Sequence, residues 1–223
     1  MYPSLVRLAE ARDVDLVTNV LIMAMEDNQC WQYQFPHSAT YYEDHWNYTR
    51  DLVRRFLSTA YDDWIVMVLE IEVEAGEWDI VAVSVWDVSY VNKRIHGRGY
   101  RPNSPLNDAR QFGYGRSDAD HKHVTTFLAA EQESNQRYFR QYGPGRLKLQ
   151  ILGTCPAYRR MGFATQLCRW GMDMADRDGV VITFNANPQS TPHYERLGFG
   201  KMGQQVIQAP GEEEAVVVDC LAY

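Results

Sequence analysis

A mixed α+β fold in a single domain is what the 223 residues predict, on three observations. Two β-rich runs, 64–71 and 79–86, flank the turn-forming Glu74-Ala75-Gly76-Glu77 and read as an antiparallel hairpin. A strand at 147–154, an amphipathic helix after Gly162 and a dense apolar strand at 180–185 follow one another, an order that calls for a crossover and parallel neighbouring strands. Two further stretches, 16–24 and 40–60, place apolar residues at helical spacing and supply helices to cover the sheet.

In chain order, Leu5-Val6-Arg7-Leu8 predicts a short first strand, and Asp13 stands as the N-cap of a helix carrying Leu16, Val17, Val20, Leu21 and Ala24. Residues 28–38 bring Cys30, Trp31, Tyr33, Phe35 and Pro36 too irregularly for one element. They read either as a loop packed on the core or as the wall of a binding pocket. In the second helix Tyr42, Trp46, Val53, Phe56, Leu57 and Ala60 form the apolar stripe. After the hairpin, residues 89–117 are broken by Gly97, Gly99, Pro102, Pro105, Gly113 and Gly115 and carry Lys93, Arg94, Arg98 and Arg101. They read as a long loop insertion, either a lid or an unstructured excursion. Asp118 or Asp120 caps a helix with Val124, Phe127, Leu128, Tyr138, Phe139 and Tyr142, which Gly143-Pro144-Gly145 ends. In the helix after Gly162, Phe163, Leu167, Trp170, Gly171 and Met174 share one face. Val206-Ile207 and Ala215-Val216-Val217-Val218 read as a closing hairpin.

The most informative segment is the turn from the strand 147–154 into that helix, Pro156-Ala157-Tyr158-Arg159-Arg160-Met161-Gly162-Phe163-Ala164. Free main-chain N–H groups at a helix start, at the positive end of its dipole, make a seat for phosphate, and Arg159 and Arg160 add charge at the rim. The P-loop pattern fails, because Gly162 is followed by Phe163 and not by a Lys-Ser/Thr pair, and G-x-G-x-x-G is absent. What remains is Arg159-x-x-Gly162-x-Ala164.

With the strand before it, the helix and strand after it and Tyr194-Glu195-Arg196-Leu197-Gly198-Phe199 beyond, residues 147–199 resemble the core of the GCN5-related N-acetyltransferase (GNAT) superfamily, nearest in look to its small-molecule members. The resemblance implies a GNAT fold over residues 1–223: a central, mostly antiparallel sheet with a splayed parallel strand pair, flanking helices and a cofactor core at about 146–200. It implies acetyl-CoA, used as co-substrate, with Leu152, Gly153, Thr154, Arg159, Arg160, Met161, Gly162, Phe163, Ala164, Thr165, Asn185 and Ser190 in contact with coenzyme A. Asn187 is a candidate of lower rank. The reaction implied is attack of a neutral amine on the thioester carbonyl, with a main-chain N–H at Leu152 or Gly153 on the oxyanion. Tyr194 matches the family tyrosine that protonates or hydrogen-bonds the leaving sulfur. The glutamate that many relatives carry on these strands is missing. Gln150 stands on the first strand as the residue to hold a water, and Glu131, His121 or His123 are alternatives from the preceding helix. Met161 replaces a basic residue of the family pattern and Ala164 its third glycine.

The expected acceptor is a small-molecule primary amine. A protein or peptide acceptor is the first alternative, and a non-enzymatic acyl-CoA-binding module the second. A net charge of −7 opposes nucleic-acid binding. Cys30, Cys155, Cys168 and Cys220 lack metal-ligand spacing and read as reduced thiols, with Cys155 a packing residue, so no metal is expected. No run of about eighteen apolar residues exists and the first residues lack the apolar stretch of a signal peptide, so a cytoplasmic protein without membrane contact, monomeric or homodimeric, is the expectation.

Overall fold

The computed structural model describes residues 2–97, 99–107 and 115–223. Arg98 and Gly113 of the expected insertion lie outside them.

The strands are β1 (Ser4–Leu8), β2 (Trp64–Glu74), β3 (Glu77–Asp87), β4 (Arg146–Thr154), β5 (Val181–Ala186), β6 (Gly200–Gln208) and β7 (Ala215–Ala222). They form one seven-stranded sheet in the order β1-β2-β3-β4-β5-β7-β6. Every neighbouring pair is antiparallel except β4 and β5. The long hairpin β2–β3 and the closing hairpin β6–β7 stand where the alternation of the sequence puts them. The helices are α1 (Val14–Met25), α2 (Gln29–Gln34), α3 (Tyr42–Phe56), α4 (Ser89–His96), α5 (His121–Ser134), α6 (Phe163–Asp178) and α7 (Thr191–Arg196).

Two cores sandwich the sheet. Val17, Leu21, Val53 and Phe56 of α1 and α3 pack on Val66, Val68 and Val83. Phe163, Leu167 and Cys168 of α6 pack with Trp86, Leu147, Leu149 and Ile182. A smaller cluster joins Tyr33 of α2 and Ala130 of α5 to Ile207, Val216 and Val218 on the β6–β7 hairpin.

Four expectations need correction. Residues 89–96 are helix α4, not loop; Tyr90 is buried and its hydroxyl donates to Asp178 at 2.6 Å, so a long-range contact stabilises a helix that the glycines and prolines beyond it obscure. Residues 29–34 form α2, because Asn28 accepts from the N–H groups of Cys30 and Trp31 and starts a helix at once. Asp13 precedes α1 but makes no cap bond to it: its carboxylate is buried, held by Arg7 and by the Glu10 N–H. The buried face of α3 is His45, Thr49, Leu52, Val53 and Phe56, with Tyr42 at its exposed start. Of the two possible caps for α5, Asp120 serves, accepting from Lys122 and His123, while Asp118 is buried elsewhere.

Candidate active site

β4 ends at Thr154 and a short 3-10 turn, Pro156–Tyr158, carries the chain round to α6. Arg160 and Gly162 take up left-handed backbone conformations, φ 66° and 83°, and Gly162 is the N-cap of α6 without any side-chain cap. Left-handed residues alternating with others, as on either side of Met161, turn main-chain N–H groups toward one concavity, and the first N–H groups of the helix have no carbonyl within it to bind. A Cβ on Gly162 would meet nothing within 4 Å, so its demand for glycine comes from φ and from what approaches the turn. Arg160 and Met161 are exposed on the rim, whereas Phe163 is buried and anchors the helix.

Arg159 points the other way. Its guanidinium binds the Asp27 carboxylate (Nη2 to Oδ1, 2.8 Å) and donates to the carbonyls of Ala24 at 3.0 Å and Thr154 at 3.3 Å. It thereby ties the turn to the C-terminal end of α1, where exposed carbonyls and the negative end of the dipole favour a cation. The hydrogen bond from Arg159 holds the Asp27 carboxyl below its ordinary range.

β4 and β5 pair only at Arg146–Val181, Leu147–Ile182 and Lys148–Thr183 and then part. On its other side β4 is irregular: Val85 faces Ile151 and Trp86 faces Leu149, which leaves Gln150 as the extra residue of a bulge. A bulge at this point redirects the side chains that follow it and bends the strand away from its neighbour. Gly153 lies under α1, where a Cβ would stand 2.8 Å from that of Ala24; only glycine admits the helix this close. The parted strands open onto two connected spaces.

The larger, of about 720 Å³, runs from the turn at Arg160, Gly162 and Thr165 along Leu152, Gly153 and Thr154 to α7. The smaller, of about 240 Å³, lies behind it, walled by Cys30 and Trp31 of α2, Thr49 and Leu52 of α3, Val124, Phe127, Leu128 and Glu131 of α5, and Val218 of β7. They share Met25, Asn28, Leu152, Asn187, Ser190 and Tyr194. Residues that line them hold buried oxygens without a hydrogen-bond partner: Gln150 Oε1, Asn185 Oδ1 and Thr49 Oγ1 beside the smaller space and Thr154 Oγ1 beside the larger. A buried unpaired polar atom carries a penalty of about 1–3 kcal/mol, which a ligand bearing the matching group removes.

The two sequence-derived catalytic candidates, Tyr194 and Gln150, both line the smaller space. Tyr194 packs edge-on against Phe184 at 4.6 Å, and burial, then Cys168, push its phenol far above the ordinary value, so it holds its proton. Ser190 also lies at the junction and makes no cap bond to α7. Asn187 uses its Oδ1 to accept from Gln189 N–H at 3.0 Å. Of the alternatives for a base, His123 is not among the residues lining either space: its ring stacks on Tyr33 and is bound by the Tyr33 carbonyl and Glu212. His121 lines neither. Glu131 does line the smaller space, but it receives the Lys148 ammonium. Cys155 is a buried thiol whose pKa burial raises, as befits a packing residue.

Sequence reasoning missed a chain of side chains behind Trp31. The indole N–H donates to His45 Nε2 at 3.2 Å, which leaves the imidazole proton on Nδ1, 2.7 Å from Asp118 Oδ2. Arg116 completes the cluster with bonds of 2.6 and 3.0 Å to the same carboxylate and lies over Phe35. Burial pushes the Asp118 carboxyl up, but His45 and Arg116 outweigh it and hold the group down at about 2. His193 is also new: it lines the larger space with Nε2 buried and unpartnered, and burial, then Arg196, lower its pKa and favour the neutral ring. Neither could be read from spacing, since no local motif marks them. No cluster of three or more His, Cys, Asp or Glu with metal-binding geometry occurs among the described residues, and no helix among them is long and apolar enough to cross a membrane.

Residues 116–210 match the sequence pattern of the GNAT acetyltransferase domain. An acetyltransferase of Stachybotrys chartarum is 24% identical over 217 residues, which cover 97% of this chain and 89% of that one. Among solved structures, the polyamine N-acetyltransferase of Drosophila melanogaster superposes with a TM-score of 0.63 at 12% identity, and a mosquito arylalkylamine N-acetyltransferase-like protein with 0.61 at 14%, each covering 99% of both chains. Those likenesses define the fold, a mostly antiparallel sheet opened at one parallel pair. The pattern over residues 116–210 and the likeness to an acetyltransferase over nearly the whole chain point together to an acyltransferase of the GNAT type.

Proposed function

We propose that the protein transfers an acetyl group from acetyl-CoA to a small primary amine. The observation that carries this reading is the junction itself: an anion-seating turn and a long cleft on one side, a small walled cavity on the other, with Tyr194 lining both. Coenzyme A suits the cleft. The N–H groups at residues 160–164 would take its diphosphate, Arg160 would add charge from the rim, and Leu152, Gly153 and Thr154 would meet its amide-bearing arm. Arg159 contributes by holding the turn against α1. At the junction a main-chain N–H of Leu152 or Gly153 would stabilise the developing oxyanion, Tyr194 would deliver its proton to the departing sulfur, and Gln150 would hold a water that relays the amine's proton. The phenol's raised pKa keeps its hydrogen in place as a hydrogen-bond donor toward the departing sulfur.

The cavity volume of about 240 Å³ favours a small acceptor, since pockets that take drug-sized ligands measure roughly 300–1,000 Å³. A peptide would need an open groove. The test is thiol release from acetyl-CoA with a panel of small amines and of peptides. Release with small amines alone supports the reading. Release with peptides alone replaces the acceptor class, and a rise in Tm with acetyl-CoA but no release with any amine replaces the enzyme by a binding module.

A further inference from the structure

Among the described residues that line the smaller cavity, only Arg116 and Glu131 carry charge. Arg116 is buried, bound to Asp118 through two bonds and covered by the rings of Phe35 and Tyr48. Glu131 is the fourth cavity-facing residue of α5, one turn beyond Phe127 and Leu128. Its carboxylate binds the ammonium of Lys148, which reaches it from the paired stretch of β4. Both members are largely buried, with 18% and 24% of their side chains exposed, so the pair is sheltered from solvent screening.

We propose that Lys148 sets the charge of the acceptor: its ammonium already occupies the only carboxylate facing the cavity among the described residues, so the acceptor carries a single cationic group, the reacting amine, on an apolar body. This rests on the reading of the cavity as an amine site. The reacting nitrogen finds hydrogen-bond acceptors in Gln150 Oε1 and Asn185 Oδ1, which are buried and unpartnered on the two parted strands. The remainder of the acceptor meets Trp31, Phe127, Leu128 and Phe184. A second ammonium or a guanidinium would be stripped of water with no carboxylate left to receive it, a penalty that excludes it.

The experiment uses the full chain with saturating acetyl-CoA and compares kcat/KM for 2-phenylethylamine with that for putrescine and agmatine. The wild-type protein is expected to favour the monoamine by about tenfold or more, and Lys148→Met, which leaves Glu131 unpaired, to shift the diamine-to-monoamine ratio by about tenfold toward the diamine. Lys148→Arg should keep the wild-type ratio, and adding Glu131→Gln to Lys148→Met should restore it. A wild-type preference for putrescine or agmatine overturns the proposal whatever the variants do. An unchanged ratio in a Lys148→Met protein that melts within a few degrees of wild type overturns it as well. Either result leaves the acyltransfer reading standing, whereas absence of thiol release with every amine removes that reading and the proposal with it.

Discussion

Whereas the cleft at the turn presents main chain, from Gly153 and the start of α6, the cavity behind it is walled by side chains from α2, α3, α5 and β7. The difference decides what each can tolerate. A surface of N–H groups survives most substitutions that preserve the backbone, and fails when a charge or a blocked approach is introduced. A wall of side chains changes its preference with each residue. Glycine is consequently the sensitive type on one side and aromatic, amide and charged residues on the other.

The largest effect should come from setting a negative charge in the seat. Gly162→Asp has room for its Cβ but must adopt φ 83° and would set its carboxylate against the proposed diphosphate; a loss of acetyl-CoA affinity on the order of a hundredfold is expected by calorimetry, with Gly162→Ala far milder. Equal losses in the two variants would mean that backbone strain, not charge, governs the turn, and would break the contrast. Next, Tyr194→Phe removes one oxygen at the junction and keeps the ring against Phe184; kcat should fall by about ten- to a hundredfold while acetyl-CoA affinity is retained. A fall in affinity with kcat intact would transfer Tyr194 from acid to cofactor contact.

The cavity side has its own signature in acid. The Asp118 carboxyl lies at about 2 in the folded protein and at 3.8 when free. Because the folded value is the lower one, its stabilisation is complete above about pH 4 and is lost as pH falls through about 2, by about 2 kcal/mol. Chemical denaturation across that window should show the loss, and Asp118→Asn should flatten it. The smallest effect is expected of Arg159→Ala, which gives up a partly exposed ion pair with Asp27 and two bonds to carbonyls: about 1 kcal/mol by thermal melting, with a modest weakening of acetyl-CoA. A large loss of affinity there would show that the side chain leaves Asp27 for the phosphates.

The same contrast explains how far the molecule could be read from its sequence. The hairpin β2–β3 and the succession β4, turn, α6, β5 are local patterns, and the turn declares itself in nine consecutive residues. Tyr194 carries a short motif of its own. The cavity does not, because its walls meet only after folding: Asp118 lies 73 positions from His45, and Lys148 finds Glu131 across from another element. Asp13 shows how a local rule is overridden. Its position suits a cap, yet Arg7 on the neighbouring strand claims its carboxylate. Helix α4 was hidden for a similar reason, since its bond from Tyr90 to Asp178 spans 88 positions.

The approach of α1 to β4 at Gly153, with Arg159 reaching the Ala24 carbonyl 135 positions away, also bears on how the protein matures. The slot is closed by segments 135 positions apart, and joining such distant pieces slows folding. If the turn seats coenzyme A as proposed, a chain lacking α6 would have no grip on it, and the ligand would draw half-assembled chains toward the native state by mass action.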